Sequence, residues 1–336
     1  MNEGCWQTMK LRFCAMMCMA MLFNTSHATE DIKPLPTPVL ALAHHAQEVQ
    51  NQIDFQHIKQ SEQRPIIALV LGSGGARGYA HIGAIEVLEQ AGIKPDLIVG
   101  TSAGSIVGSI YASGVSSKEL RDIALDMKPK DVRDFKIDKK GFFDGKKVQA
   151  YVNKQVKNKA LQELSIPMFV VATELKHGKR VVFNYGDTGQ AVRASVSIPS
   201  MFVPTKIADS EYVDGGLVSP VPVDVARELG ADIVIAVDIL AQPIHTETTN
   251  VWGLFNQNIN IMQNHLAKEE LKFADIVVQP DLREKAHIFD VTGREKTMQA
   301  GRTAMQEKIV DLHQVIASKS QKQDFLLTPL QVQQLN

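Results

Sequence analysis

The sequence predicts a three-layer α/β/α domain built on a mainly parallel central sheet. Two observations carry this: short apolar runs that suit strands buried on both faces alternate with helical segments, and glycine clusters follow the first two runs. A third is size. With 336 residues, 44% hydrophobic and 22% charged, the chain can bury a large α/β core.

The elements follow in chain order. Ile66 to Leu71 is a continuous apolar run ending at a glycine cluster, which predicts a strand. Tyr79 to Ala91 places Ile82, Ile85 and Leu88 on one face before Gly92, which predicts a helix. Leu97 to Val99 reads as a second buried strand, and Ala103 to Ser113 as a helix of small residues that Gly114 can end. This β-α-β-α order makes the sheet parallel. Ser116-Ser117-Lys118-Glu119 has the form of a capping box opening another helix, and Gly145 to Lys159 reads as helical. Met168 to Ala172 and Lys179 to Phe183 suit strands around a turn at His177-Gly178, and Ile233 to Asp238 suits a further buried strand. Two more helices are expected, over about 258–273 and 294–317.

Charge and hydropathy narrow the function. The 36 Lys and Arg against 37 Asp and Glu give a net charge of −1, which disfavours nucleic acid as a partner. A mean hydropathy of −0.08 excludes both a multispanning membrane protein and a disordered one. At the N-terminus, Lys10 and Arg12 precede the apolar run Phe13 to Phe23, and Ser26-His27-Ala28 offers a cleavage site. Residues 1–28 therefore read as a signal peptide, and the expected location is the periplasm or cell envelope. The run falls short of the roughly 20 apolar residues needed to span a bilayer. All three cysteines (Cys5, Cys14, Cys18) lie in this leader, leaving the mature chain without thiol chemistry.

Three short motifs carry chemistry. Gly100-Thr101-Ser102-Ala103-Gly104 is a G-x-S-x-G between a strand and a helix, where the glycines permit a tight turn that presents the serine hydroxyl at a helix N-terminus. Ser102 is the candidate nucleophile. Gly72-Ser73-Gly74-Gly75-Ala76-Arg77-Gly78 also joins a strand to a helix, and its backbone N–H groups suit an oxyanion loop. A dinucleotide loop is the rival, but the sixth position from Gly72 is Arg77, and no G-K-[ST] follows. Asp214-Gly215-Gly216 follows the strand-like Tyr212-Val213. A serine hydroxyl needs a base, either an acid or an imidazole, and the adjacent glycines let the carboxylate approach closely.

In this order the three motifs resemble the patatin-like phospholipase family, bacterial members especially. His81-Ile82-Gly83, Ala194-Ser195-Val196-Ser197-Ile198-Pro199, Pro204 and Pro220-Val221-Pro222 add to the likeness, which is close over Ile66 to Asp238. The resemblance implies a patatin-like α/β/α fold and a Ser–Asp dyad cleaving acyl esters of lipids. Ser102 would attack the carbonyl, Asp214 would act as base, and the amides of Gly74, Gly75 and Ala76 would hold the oxyanion. No cofactor and no metal are implied. Ser73 stands where many relatives carry glycine, and Arg77 would brace the loop, form a structural ion pair or meet a headgroup. The implied organisation is a linker and surface helix over 29–64, a catalytic domain over 65–240 and a helical extension over 241–336 packed on it.

Competing readings are a Ser-His-Asp esterase, with His245, His265, His287 and His313 as candidates after the acid, a lipid acyltransferase, and a non-catalytic lipid-binding protein. His44, His45 and His57 lack the cysteine or carboxylate partners of a metal cage. Lys128 to Lys147 holds eight basic and four acidic residues interleaved with Phe135, Phe142 and Phe143. Its preferred reading is a solvated loop with inward-packed rings; the alternative is peripheral contact with an anionic bilayer.

Overall fold

The computed structural model describes residues 39–41, 62, 64–240, 249, 251–282 and 293–331. The signal-peptide reading of residues 1–28 and the histidines at 44, 45, 57, 245 and 287 lie outside them.

Nine strands form one sheet: β1 (Val39–Ala41), β2 (Ile67–Leu71), β3 (Leu97–Thr101), β6 (Met168–Glu174), β7 (Lys179–Phe183), β8 (Thr205–Ile207), β9 (Ser210–Asp214), β10 (Ile233–Val237) and β11 (Ile276–Val278). A separate hairpin joins β4 (Phe135–Asp138) to β5 (Gly141–Phe143). The main path runs β1-β7-β6-β3-β2-β10-β11, and every neighbouring pair on it is parallel except β6 with β7. The mainly parallel sheet is as the sequence indicated.

Helices cover both faces. They are α1 (Tyr79–Gln90), α2 (Ala103–Ala112), α3 (Ser117–Asp126), α4 (Lys146–Gln155), α5 (Thr188–Ser195), α6 (Val223–Glu228), α7 (Val251–Glu270), α8 (Arg294–Gln306) and α9 (Ile309–Gln331). The alternation within β2 shows why its sequence is apolar throughout. Ile67, Leu69 and Leu71 enter one core with Ile82 and Ile85 of α1 and Met298 of α8, while Ala68 and Val70 enter a second with Val225 of α6 and Ala267 of α7. A strand with solvent on neither face has no position for a polar residue.

Local chemistry sets the boundaries. Ser116 and Glu119 form the expected capping box at α3, with the serine hydroxyl accepting from the Glu119 amide and the carboxylate accepting from the Ser116 amide. The segment expected to run from 294 to 317 is two helices, parted at Glu307-Lys308.

Three features differ from the expectation. Val39–Ala41, within the stretch read as linker and surface helix, adds a strand parallel to β7. The C-terminal region read as helical also supplies β11, paired in parallel with β10. Its first helix begins at Val251 instead of near 258 and ends at Glu270, followed by a single 3-10 turn to Phe273.

α8 seats on α1 through glycines. A β-carbon on Gly83 would overlap the Met298 carbonyl, and one on Gly301 would overlap the Ala80 carbonyl. Arg302 pairs with Glu86 beside this crossing. Gly83→Ala is therefore expected to force the helices apart and lower stability by about 1–3 kcal/mol, measurable by urea denaturation; an unchanged midpoint would contradict the close crossing.

Candidate active site

β2 and β3 are adjacent parallel strands with Leu71 opposite Gly100, so the loops at their C-terminal ends emerge side by side. This places Gly72–Gly78 beside Ser102. The third piece arrives through β6. Thr101 lies opposite Val171, and the next β6 residue, Ala172, lies opposite Asp214 of the antiparallel β9. As β3 ends, β9 takes over the same edge of β6, and the carboxylate meets the serine there.

Ser102 caps α2 with φ 53° and ψ −117°, a left-handed turn that a non-glycine residue adopts only when its surroundings hold it. Its carbonyl accepts from the Ser105 amide at 2.9 Å and from the Ser105 hydroxyl at 2.6 Å. Its N–H donates to Ser195 Oγ at 2.8 Å, which in turn donates to the Val171 carbonyl at 2.6 Å. The Ser102 amide is thus engaged in positioning. Gly104 lies against β2, where a β-carbon would overlap the Leu71 carbonyl, and a β-carbon on Gly100 would stand 2.7 Å from the Gly104 carbonyl.

Ser102 Oγ donates to Asp214 Oδ2 at 2.6 Å. Both residues are buried, each 3% exposed. Asp214 Oδ1 accepts from the Gly216 amide at 2.7 Å, its own N–H donates to the Ser197 carbonyl, and its carbonyl accepts from Thr173 Oγ1. Burial pushes its carboxyl up to about 6, opposing the Ser102 and Gly216 hydrogen bonds that favour ionisation. A β-carbon on Gly215 would overlap the Val171 carbonyl, so the turn needs glycine to sit against β6.

The glycine loop is fixed at both ends. Gly72 and Ser73 donate their amides to the carbonyls of Val237 and Pro220 at 3.0 and 2.8 Å. The Ser73 N–H is therefore committed to the fold. A β-carbon on Gly74 would lie 2.7 Å from Ile239, and Gly75 has φ 59°. Gly78 lies against Ala103, where a β-carbon would stand 3.1 Å from its Cβ. Arg77 Nε donates to the Ile239 carbonyl at 2.8 Å, and burial lowers its guanidinium to about 10 against the pull of Asp238. Of the roles expected for Arg77, the structure shows the brace.

Gly75, Ala76 and Ser102 line one end of a cavity of about 160 Å³ whose remaining wall is apolar, with Ile82, Ile110, Leu120, Val148 and Phe202 among its residues. A hydroxyl, loop backbone and an apolar chamber thus share one space.

Among the described residues, no imidazole stands between serine and carboxylate. His81 is fully buried with Nε2 at 2.9 Å from the Gly72 carbonyl, and burial drops it to about 4, which keeps it neutral under the loop. His265 and His313 lie on α7 and α9. Among the described residues, no group of three or more His, Cys, Asp or Glu is placed to hold a metal ion.

Sequence reading missed two sets of residues. Ser195 was noted only within a run of motif residues, with no sign that its hydroxyl would hold the elbow. Glu270, at the end of α7, hydrogen-bonds Ser219 Oγ, and its Oε2 accepts from the Val221 amide at 2.8 Å. Thr101 Oγ1 donates to the Ser219 carbonyl at 3.0 Å, linking this clamp to the elbow. Nothing local marks a glutamate at the end of an amphipathic helix as half-buried against a distant turn.

The fold and elbow define a class: an α/β domain carrying a serine on the strand-to-helix turn that acyl hydrolases use. Residues 69–227 match the model of the patatin-like phospholipase family, so this stretch of the chain is a patatin-like phospholipase domain. An uncharacterised NTE family protein of Mycobacterium tuberculosis is 36% identical over 178 residues, 52% of this chain and 49% of that protein. Patatin-like phospholipase domain-containing protein 6 of Homo sapiens is 30% identical over 248 residues, 69% of this chain and 17% of that protein. The chain thus spans about half the length of the mycobacterial relatives and a smaller share of the mammalian one. The crystal structure of VipD from Legionella pneumophila matches 76% of this chain and 67% of its own, with a TM-score of 0.44 at 14% identity.

Burial raises Glu270 from 4.5 to about 8, against its hydrogen bonds from Ser219 and Val221. Between these values the folded protein holds a proton that the unfolded chain has released, so this contribution to stability falls as pH rises. Glu270→Gln is expected to flatten the fall in urea midpoint across that window. An unaltered pH profile would show that Glu270 is already ionised in the native state.

Proposed function

We propose that this protein hydrolyses acyl esters of lipids through a Ser102–Asp214 dyad. The single observation that carries the reading is the 2.6 Å hydrogen bond from Ser102 Oγ to buried Asp214, made at the rim of an apolar cavity. The patatin-like phospholipase domain over residues 69–227 supports the lipid substrate class.

In the proposed reaction, Ser102 Oγ attacks the ester carbonyl carbon as its proton passes to Asp214. Negative charge collects on the carbonyl oxygen, and the amides of Gly74, Gly75 and Ala76 are the proposed donors to it, aided by the positive end of α2. Collapse breaks the bond to the alcohol, which leaves with the proton from Asp214. Water then attacks the acyl-serine, Asp214 takes its proton, and the fatty acid and free hydroxyl are restored. The acyl chain occupies the chamber, whose walls are mostly aliphatic and aromatic and suit a hydrocarbon chain better than a charged headgroup.

We also propose that the chain acts after export to the cell envelope, on the strength of the basic and apolar leader over residues 1–28. Fractionation of the producing cell tests this; uncleaved protein in the cytoplasmic fraction would oppose it.

Ser102→Ala is expected to lower turnover of a phospholipid or fatty-acyl ester by about a thousandfold or more while preserving the urea midpoint. Retained activity in a clean preparation would overturn the assignment. Because Asp214 must be ionised to accept a proton and burial sets it near about 6, kcat/KM is expected to rise with pH through that value as one proton is lost. A flat profile from pH 5 to 8 would contradict Asp214 as base.

A further inference from the structure

We propose that the β4–β5 hairpin and the short helix Pro129–Val132 form a docking surface for an anionic lipid bilayer, delivering substrate to the cavity mouth. The proposal rests on the lipid-hydrolase reading for its purpose and on separate residues for its evidence.

The segment read as a solvated loop with inward-packed rings turns only one ring inward. Phe143 packs against Phe202, a cavity-lining residue, with ring centroids 5.6 Å apart. Phe135 meets Phe143 edge-on yet stays 70% exposed, and Phe142, alternating to the other side of its strand, is 52% exposed. The hairpin is anchored at its base, since the Phe142 and Phe143 amides both donate to the Met201 carbonyl. It therefore presents two large apolar rings to solvent from a fixed ribbon.

Charge selects the partner. The segment 128–147 carries eight basic and four acidic residues. Its acids are engaged by the protein itself: Asp131 accepts from the Lys128 amide, Asp134 from the amides of Gly145 and Lys147, Asp144 from Arg193, and Asp138, though exposed, from the Lys140 amide. Lys128, Lys130, Lys136 and Lys139 are exposed in the same segment, Lys136 standing 3.7 Å from the Asp144 carboxylate. Lys140, also exposed, pairs with Glu211 at 2.7 Å on the surface, a contact that a charged membrane can replace. Exposed phenylalanines flanked by lysines match an anionic interface, where rings enter the acyl boundary and ammonium groups meet phosphates.

Position supplies the third strand of support. Met127, Pro129 and Val132 line the same cavity as Ser102, and Leu125 beside them is 39% exposed. The apolar wall thus continues from the chamber to the surface next to the hairpin. A lipid leaving a bilayer at this edge keeps its chain in contact with apolar side chains.

The test uses the full chain carrying Ser102→Ala, so that vesicles stay intact, with co-sedimentation on phosphatidylcholine vesicles with and without about 30% phosphatidylglycerol. The expected result is binding to the anionic vesicles that weakens in high salt. Phe135→Ser with Phe142→Ser is expected to reduce it by about tenfold, and Lys136→Gln with Lys139→Gln to reduce binding to the anionic vesicles selectively. In the Ser102 background, both pairs should leave turnover of a soluble short-chain ester within about twofold. Absence of vesicle binding, or binding indifferent to the phenylalanine pair, would overturn the proposal; if only the lysine pair matters, the surface takes a soluble polyanion instead. Equal loss of soluble-ester turnover would place the hairpin in the catalytic site and also overturn it. Failure of the hydrolase reading shows separately, as ester turnover that survives Ser102→Ala while vesicle binding persists.

Discussion

The Ser102–Asp214 hydrogen bond depends on one topological constraint: β6 is longer than the strand it parallels. Its first half pairs with β3 and its second half, on the same side, with the antiparallel β9. The handover between Val171 and Ala172 brings together side chains that lie 112 positions apart in sequence. Backbone ladders therefore fix the separation of serine and carboxylate before any side chain chooses a rotamer. The same residue pair explains the neighbouring sequence, because Gly215 lies against the Val171 carbonyl while Ser195 uses that carbonyl to hold the Ser102 amide. Burial then raises the Asp214 carboxyl, while the hydrogen bonds from Ser102 and Gly216 favour its ionised form.

The site is completed from outside the family-matched residues 69–227. β10 lies beside β2 and secures Gly72 through the Val237 carbonyl. The chain after it contributes the Ile239 carbonyl that fixes Arg77. α7 brings Gln263 against Gly216, and Glu270 against the turn that follows the Asp-Gly-Gly motif. A half-buried carboxyl with backbone and hydroxyl partners is a directional tie, and it is costly if either partner is lost. The C-terminal region thus acts as a second wall of the site, and α8 fastens α1, the helix that follows the glycine loop, through the Gly83 and Gly301 crossing.

Much of this was legible in the residues because the central strands are buried on both faces. Ile67–Leu71, Leu97–Thr101 and Ile233–Val237 have no polar alternation to confuse with a loop, and the glycine motifs mark where they end. The motif residues meet at one place, with Ser102 against Asp214 and the glycine loop alongside. What escaped notice has equally specific causes. β9 begins Ser210-Glu211, half exposed and polar, so only its last residues suggested a strand. β1 and β11 are three residues each and take their identity from β7 and β10. Ser195 and Glu270 look like ordinary helix residues, since their roles arise only when distant strands carry the elbow and the turn to them. The hairpin was ambiguous for a different reason: a ribbon puts alternate rings on opposite sides, and sequence does not say which side is solvent.

The most direct test of the paired serine and carboxylate is chemical. Purified protein treated with a fluorophosphonate probe, digested and mapped by mass spectrometry, is expected to carry the adduct on Ser102, with labelling slowed by about a hundredfold or more in Asp214→Asn. Labelling of folded wild-type protein at another residue, or a rate unchanged by loss of the Asp214 carboxylate, would contradict an Asp214-activated nucleophile.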